Sequence, residues 1–136
     1  MSFHPYLYFG GNCREAMTRY QEIFGGELNI MEGSQAPPGA VPEGKEHLVM
    51  HAGLQTGDEV LMASDSYGDD FNQANTMYVH YTSEDHDRAL SVFAALKEGG
   101  EVQMEGPQFW TPFYGQCIDR FGIGWQVSLE QPVEDA

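Results

Sequence analysis

Two stretches of the chain carry apolar residues at helical spacing and end in a glycine pair. The first, residues 14–28, reads REAMTRYQEIFGGEL, and the second, residues 88–102, reads RALSVFAALKEGGEV. Side chains three and four positions apart share one helix face, and glycine readily adopts the left-handed angles that end a helix. The pattern therefore predicts two amphipathic helices, each ended by its glycine pair. Their apolar positions correspond, with Ala16, Met17 and Tyr20 matching Ala89, Leu90 and Phe93.

Each predicted helix is preceded by residues that can cap its first turn. Asn12 is the expected cap of the first helix, with Glu15 three residues later as its capping-box partner. Ser83 is the expected cap of the second, with Glu84 and Asp85 close to the positive end of the helix dipole.

Apolar and β-branched segments surround both helices in the same order. Turn residues such as Gly57-Asp58 and Phe121-Gly122 separate neighbouring segments, which predicts hairpins. The chain is therefore predicted to be α+β, with β-α-β-β-β written twice. The predicted strands are Pro5–Phe9, one from Glu27, His47–Gln55, Glu59–Ser64, Thr76–Thr82, one from Glu101, Tyr114–Ile118 and Gly124–Leu129.

The two copies are expected to form one domain over residues 1–136. Module one covers about residues 1–65 and module two about residues 75–130, and each alone is too small for a sizeable core. The connector, residues 64–75, carries Asp65, Asp69 and Asp70. We expect these three carboxylates to be solvated, with a cation site as the less favoured alternative.

Charge and composition limit the classes of partner. The chain has 6 Lys or Arg and 21 Asp or Glu, which gives a net charge of −15 with neutral histidines. Such a field repels nucleic acid phosphates and anionic membranes. The start has no basic n-region, and no apolar run approaches the length of a membrane span. Cys13 and Cys117 form no CxxC motif, so we expect a cytoplasmic protein with ordinary thiols.

Three long segments resemble one protein family over nearly the whole chain. They read PYLYFGGNCREAMTRYQEIFGGE, HLVMHAGLQTGDEVLMASD and PQFWTPFYGQCIDRFGIGWQVSL. They resemble the PhnB-like branch of the vicinal oxygen chelate superfamily, which includes glyoxalase I, extradiol dioxygenases and bleomycin-resistance proteins. The most specific motif, FWxxxYGxxxDxFGxxW, is carried by Phe109, Trp110, Tyr114, Gly115, Asp119, Phe121, Gly122 and Trp125.

The resemblance implies a cup-shaped, eight-stranded open barrel, a small organic ligand and a homodimer. Most of the motif is expected to be architectural, because Asp119 and Gly122 suit the last hairpin turn and Trp125 suits the core. The branch is often labelled 3-demethylubiquinone-9 3-methyltransferase-like. The residues do not support methyl transfer, since Gly10-Gly11-Asn12 is too short for a nucleotide-binding glycine loop and lies in a β-α-β-β-β pattern.

Alternation along the predicted strands assigns polar residues to the face opposite the helices. One face of the strand before the second helix carries Met77, Val79 and Tyr81, which leaves Tyr78 and His80 on the other. In the remaining strands the residues assigned to the cup are His4, Tyr6 and Tyr8, then Val49, His51 and Gly53, and finally Gln126 and Ser128.

Two functional hypotheses remain open. Superfamily enzymes use four inward His or Glu ligands, and the nearest residues here are His51, His80 or Tyr78, Gln126 and His4. Bound Zn, Ni, Mn or Fe would make the chain a metal-dependent lyase, isomerase or dioxygenase candidate without an identified base, since Glu59 and Glu101 are expected to be solvated. Alternatively the cup binds a small molecule, or a cationic drug of the bleomycin type, without metal. Its aromatic wall would comprise Tyr6, Tyr8, Tyr78, Phe109, Trp110 and Tyr114.

Overall fold

The computed structural model describes residues 2–68, 71 and 77–130, which fall into two compact units within residues 1–73 and 74–136. The boundary lies in the predicted connector. Unit 1 contains β1 (Tyr6–Phe9), α1 (Cys13–Phe24), β2 (Glu27–Glu32), a 3₁₀ turn (Gly33–Gln35), β3 (Val49–Thr56) and β4 (Glu59–Asp65). Unit 2 contains β5 (Tyr78–Ser83), α2 (His86–Lys97), β6 (Glu101–Gln108), β7 (Thr111–Ile118) and β8 (Gly124–Leu129).

The two units have the same topology. The strand order is β1-β4-β3-β2 in the first sheet and β5-β8-β7-β6 in the second. In each, the first strand pairs in parallel with the last, and the other pairs are antiparallel. A helix connects the first two strands of each unit, because these strands lie at opposite edges of the sheet and a tight hairpin cannot join them. The predicted α+β class and the repeated βαβββ order are confirmed, and both sheets are open.

Each helix packs on one face of its own sheet. In unit 1, Ala16, Met17 and Tyr20 are buried as predicted, together with Leu7 and Phe9 of β1. In unit 2, Ala89 and Phe93 are buried, whereas Leu90 is 39% exposed. The predicted match of Leu90 to the buried Met17 is therefore wrong, because the apolar stripe of α2 continues through Val92 and Leu96 instead.

The first helix is capped from a distant part of the chain. Asn12 is the N-cap residue of α1 as predicted, but its side chain makes no cap hydrogen bond, so that part of the prediction is wrong. Asp65, at the end of β4, is buried, and its Oδ1 accepts from the backbone N–H groups of Gly11 and Cys13 at 3.0 Å each. Its Oδ2 accepts from the N–H of Val49 at 2.9 Å. The prediction that Asp65 is solvated is thus also wrong, whereas Asp69 and Asp70 lie outside the described residues.

The cap of the second helix is local but shifted by two residues. Asp85 is the N-cap, and its Oδ1 accepts from the N–H groups of Asp87 and Arg88. Ser83, the predicted cap, instead accepts from the N–H of Asp85 at 3.1 Å. An aspartate at this position also places a negative charge at the positive end of the helix dipole, which favours it over serine.

Glycines have two distinct roles in the repeat. Gly25 and Gly99 both have φ of 75°, as the predicted helix ends require. Gly115 in β7 is needed for space, because a Cβ there would lie 2.5 Å from the ring of Phe93 on α2. The helix can therefore approach the sheet closely only at a residue without a side chain.

Two face assignments made from alternation are wrong. The register between β2 and β3 shifts between Met31 and Glu32, so Val49 is buried instead of sharing the face of His51. A bulge of this kind inverts the alternation on one side of it. Met77 precedes β5 and is 80% exposed, so it is not part of the core.

The last hairpin agrees with its motif. Asp119 is buried, and its Oδ1 accepts from the N–H groups of Phe121 and Ile123, while its Oδ2 accepts from Nε1 of Trp125 at 2.9 Å. Gly122 has φ of 89°, and Trp125 is only 2% exposed. The architectural interpretation of these three motif residues is confirmed.

Candidate functional site

A row of four polar side chains crosses the second sheet on the face opposite α2. His80 on β5 is the cross-strand partner of Gln126 on β8, and Gln126 is the partner of Gln116 on β7. Gln116 donates from Nε2 to Oε1 of Gln103 on β6 at 3.0 Å. We refer to His80, Gln126, Gln116 and Gln103 as the polar row. Neighbouring strands are about 4.8 Å apart, so the polar row extends across all four strands.

Both ring nitrogens of His80 are hydrogen-bonded. Nδ1 lies 3.0 Å from Oε1 of Gln126, and Nε2 lies 2.9 Å from Oγ of Ser128. Because the amide oxygen of Gln126 can only accept, Nδ1 of His80 is the donor in this pair. The sequence prediction that His80, Gln126 and Ser128 share one face is consistent with these contacts.

The other end of the polar row is held by two tyrosines. Tyr78 donates to Oε1 of Gln103 at 2.7 Å, and Tyr114 donates to Oε1 of Gln116 at 2.8 Å. Burial, and to a lesser degree the nearby Tyr78, raises the pKa of Tyr114 above its ordinary value, so this phenol remains a donor at neutral pH. Together these bonds fix the orientation of both amides.

The β6–β7 turn adds aromatic surface beside the polar row. Phe109, 97% exposed, and Trp110, 52% exposed, form the turn and meet edge to face with ring centroids 4.8 Å apart. The ring of Trp110 also meets that of Tyr114 at 5.6 Å. Ring contacts therefore lead from Phe109 through Trp110 to Tyr114, which hydrogen-bonds to Gln116 of the polar row.

Unit 1 presents a smaller polar and aromatic group on its sheet. Tyr6 and Tyr8 have ring centroids 5.7 Å apart, and the hydroxyl of Tyr6 lies 3.3 Å from Nδ1 of His51. All three side chains are exposed. His4 precedes β1 and bonds to Oγ of Ser2 at 3.0 Å, so it is not in the strand that carries Tyr6.

Gln103 and Gln116 are the site residues that sequence analysis missed. Gln116 lies two residues after Tyr114, and strict alternation places it on the same face, so that signal was available. Gln103 gave no such signal, because the register between β6 and β7 shifts between Val102 and Met104. The bulge places Gln103 where it reaches Gln116.

The described residues offer few side chains that could together ligate a divalent ion. Among residues 2–68, 71 and 77–130 there is no group of three or more His, Cys, Asp or Glu side chains that could hold a metal. Unit 2 contributes one imidazole and one amide oxygen, which already bond to each other, and unit 1 contributes His51. Neither unit alone therefore supplies the three or four protein ligands that a divalent ion such as zinc usually takes. The predicted quartet of His4, His51, His80 and Gln126 stays a prediction.

The remaining nucleophile and base candidates do not join the polar row. Burial raises the pKa of Cys13 to about 12, with a further contribution from Asp65, and burial raises the pKa of Cys117 to about 11. Both thiols are therefore protonated and unreactive near neutral pH. Glu59 and Glu101 are exposed at the starts of β4 and β6.

The two tandem βαβββ units give this chain the glyoxalase/bleomycin-resistance fold that the resemblance implied. A variant of the fosfomycin resistance protein FosX from Listeria monocytogenes, complexed with Mn(II) and 1S,2S-dihydroxypropylphosphonic acid, has this fold. It is 10% identical with a TM-score of 0.66, over 96% of this chain and 93% of that chain. At this identity the likeness concerns the fold alone. Among the described residues, no helix is both long and apolar enough to cross a membrane.

The chain belongs to the family described as 3-demethylubiquinone-9 3-methyltransferase, whose model matches residues 1–128. Protein PA1353 from Pseudomonas aeruginosa is 37% identical, with a TM-score of 0.86 over 97% of this chain and 99% of that chain. The PhnB protein from Bacillus cereus is 27% identical, with a TM-score of 0.78 over 96% and 100% of the two chains. The predicted PhnB-like resemblance is confirmed.

Proposed function

We propose that this protein binds a small organic ligand on the polar row of unit 2 and needs no resident metal ion to do so. The observation that carries the proposal is the polar row itself, in which two hydrogen-bonded pairs, His80–Gln126 and Gln116–Gln103, lie on four adjacent strands. Binding sites commonly combine a few fixed polar groups with aromatic contacts. Trp110 and Tyr114 supply aromatic rings next to the polar row.

The chemistry of the polar row supports binding through neutral groups. Three of its four side chains are amides, which carry no charge. Tyr78 and Tyr114 hold two of the amides by their oxygens, so rotamer freedom is already restricted before a ligand arrives. Preorganised groups lose less entropy on binding, which favours recognition.

The aromatic face of unit 1 is a separate candidate surface for ligand binding. Tyr6 and Tyr8 offer apolar ring surface, and the Tyr6 hydroxyl with His51 offers a hydrogen-bonding pair. A ligand with an aromatic or aliphatic body would bury these rings favourably. The expectation that one cup contains both faces stays a prediction, as does the homodimer, which light scattering tests.

A fragment screen followed by two-dimensional amide NMR tests the proposal. We expect hits to shift the side-chain amide signals of Gln103, Gln116 and Gln126 and the indole N–H signal of Trp110. The indole of Trp125 is an internal control, because it is buried and donates to Asp119. Hits that leave the polar row unchanged and shift only other regions would contradict the proposed site.

Variants distinguish recognition from general loss of structure. Gln126→Ala should weaken binding of a hit, because the variant removes an amide next to His80. Gln55→Ala is the matched control, since Gln55 is an exposed strand glutamine in the other unit that donates only to the backbone of Gly57. Equal loss of affinity in both variants would count against the polar row.

Elemental analysis of the protein purified without chelators or a histidine tag tests the metal alternative. We expect less than about a tenth of an equivalent of Zn, Ni, Mn or Fe, because the described residues contain no group of three or more His, Cys, Asp or Glu side chains that could hold a metal. About one equivalent of metal, lost on combining His51→Ala with His80→Ala, would instead support metal-assisted lyase, isomerase or dioxygenase chemistry.

Two further alternatives have direct tests. The family description names a methyl transfer, but we propose that this chain does not perform one, since Gly10-Gly11-Asn12 between β1 and α1 is too short for a nucleotide-binding glycine loop. Calorimetric binding of S-adenosylmethionine would refute that proposal.

Sequestration of a cationic drug is tested by titrating bleomycin while following tryptophan fluorescence, where saturable quenching at micromolar drug would support it.

A further inference from the structure

The amides of the polar row are oriented with their oxygens already engaged. Oε1 of Gln103 accepts from both Tyr78 and Gln116, at 2.7 and 3.0 Å. Oε1 of Gln126 faces Nδ1 of His80 at 3.0 Å. In each hydrogen bond that an amide of the polar row accepts, the donor is a hydroxyl, an amide N–H or a ring N–H and the acceptor is the amide oxygen.

Two amide nitrogens are consequently left as donors. Nε2 of Gln103 and Nε2 of Gln126 have no hydrogen-bond partner among the described residues, and their side chains are exposed and half-buried, respectively. Gln116 lies between them, and its own two amide atoms both have protein partners. The polar row therefore offers a ligand two N–H₂ groups, one on either side of Gln116.

Charge excludes two other ligand classes. The polar row contains no Lys or Arg to neutralise an anion, and a net charge of −15 repels anions over the whole molecule. It also contains no carboxylate for a cation, and N–H₂ donors present their positive ends. A neutral oxygen acceptor needs neither a Lys or Arg nor a carboxylate, and it can accept directly from the N–H₂ donors.

We propose that the ligand of this site is an uncharged organic molecule with two carbonyl-type oxygens, which accept hydrogen bonds from Nε2 of Gln103 and Nε2 of Gln126. This inference rests on the proposed function and adds the chemical class of the ligand. Each hydrogen bond to a neutral acceptor contributes modestly, so affinity for a minimal ligand is expected in the millimolar range.

Four probes of similar size and shape test the ligand class: para-diacetylbenzene, terephthalate, para-xylylenediamine and para-diethylbenzene. They carry two neutral acceptors, two anions, two cations and no polar group, respectively. We expect only para-diacetylbenzene to shift the side-chain N–H₂ signals of Gln103 and Gln126 in amide NMR. Tighter binding of the anion, the cation or the apolar probe at the polar row would overturn the ligand class while leaving the proposed site intact.

Isosteric variants test the individual bonds. Gln103→Met and Gln126→Met keep side-chain length but remove the whole amide, both the Nε2 donor and the oxygen that accepts within the row, and each should weaken para-diacetylbenzene at least about fivefold. Gln55→Met is the matched control and should leave the affinity unchanged. Unchanged affinity in both polar-row variants would overturn the inference, as would the absence of any shift with para-diacetylbenzene. A fragment screen that still finds polar-row hits would then separate this failure from failure of the proposed function.

Discussion

Replacing Asp65 by asparagine tests how a buried carboxylate holds unit 1 together. The wild-type Oδ2 accepts from the N–H of Val49 at 2.9 Å, while Oδ1 accepts from the N–H groups of Gly11 and Cys13. In Asp65→Asn the Oδ2 acceptor becomes an N–H₂ group that faces another donor. One charge-assisted bond is lost, and the two remaining bonds are weakened because their acceptor is now neutral.

The expected cost is about 3 kcal/mol of unfolding free energy, since a buried bond to a charged group contributes about 1.5–3 kcal/mol and two others lose strength. An unfolding entropy of about 2.1 cal/mol/K per residue makes each kcal/mol equal to about 3.5 °C in a chain of this length. We therefore expect Tm to fall by about 10 °C.

Urea unfolding followed by far-ultraviolet circular dichroism, together with a thermal scan, measures both quantities. Asp58→Asn is the control, because Asp58 is exposed in the β3–β4 turn and should change stability by less than about 0.5 kcal/mol. A stability of Asp65→Asn within about 0.5 kcal/mol of wild type would refute the assignment of Asp65 as the buried cap of α1.

Two further predictions concern packing and the buried thiols. Gly115→Ala should destabilise the protein by about 1–3 kcal/mol in urea unfolding, because its Cβ would lie 2.5 Å from the Phe93 ring. Gly53→Ala is the control, since its Cβ would meet only a methyl group at an ordinary 3.6 Å, and an equal cost in both variants would contradict the packing argument. Burial raises the pKa of Cys13 to about 12 and that of Cys117 to about 11, from 9.0 in both cases. The folded state therefore retains protons that the unfolded state loses, so stability should be complete below pH 9 and fall as pH rises towards 11–12. Combined Cys13→Ala and Cys117→Ala replacement should flatten this decline, and an unaltered pH dependence would show that other groups cause it.

The local signals in the sequence were reliable because their causes are local. Helical spacing of apolar residues, glycine pairs at helix ends and the Asp119–Gly122 turn all depend on residues within a few positions of each other. The two βαβββ units and the placement of His80 and Gln126 on one face were predicted for this reason. Alternation in β5 and β8 is regular, and the contacts between these side chains are consistent with that assignment.

Interactions between distant residues were beyond the reach of the sequence. Asp65, and not Asn12, supplies the side-chain cap of α1 from more than fifty positions away, which only the β4–α1 proximity brings about. The positions of the β-bulges could not be predicted from the residue types either. One bulge buries Val49, and another brings Gln103 to Gln116. The sequence by itself thus determined the family, the repeated topology and half of the polar row. The tertiary structure decided the remainder, because register shifts and long-range hydrogen bonds depend on which strands meet and not on local periodicity.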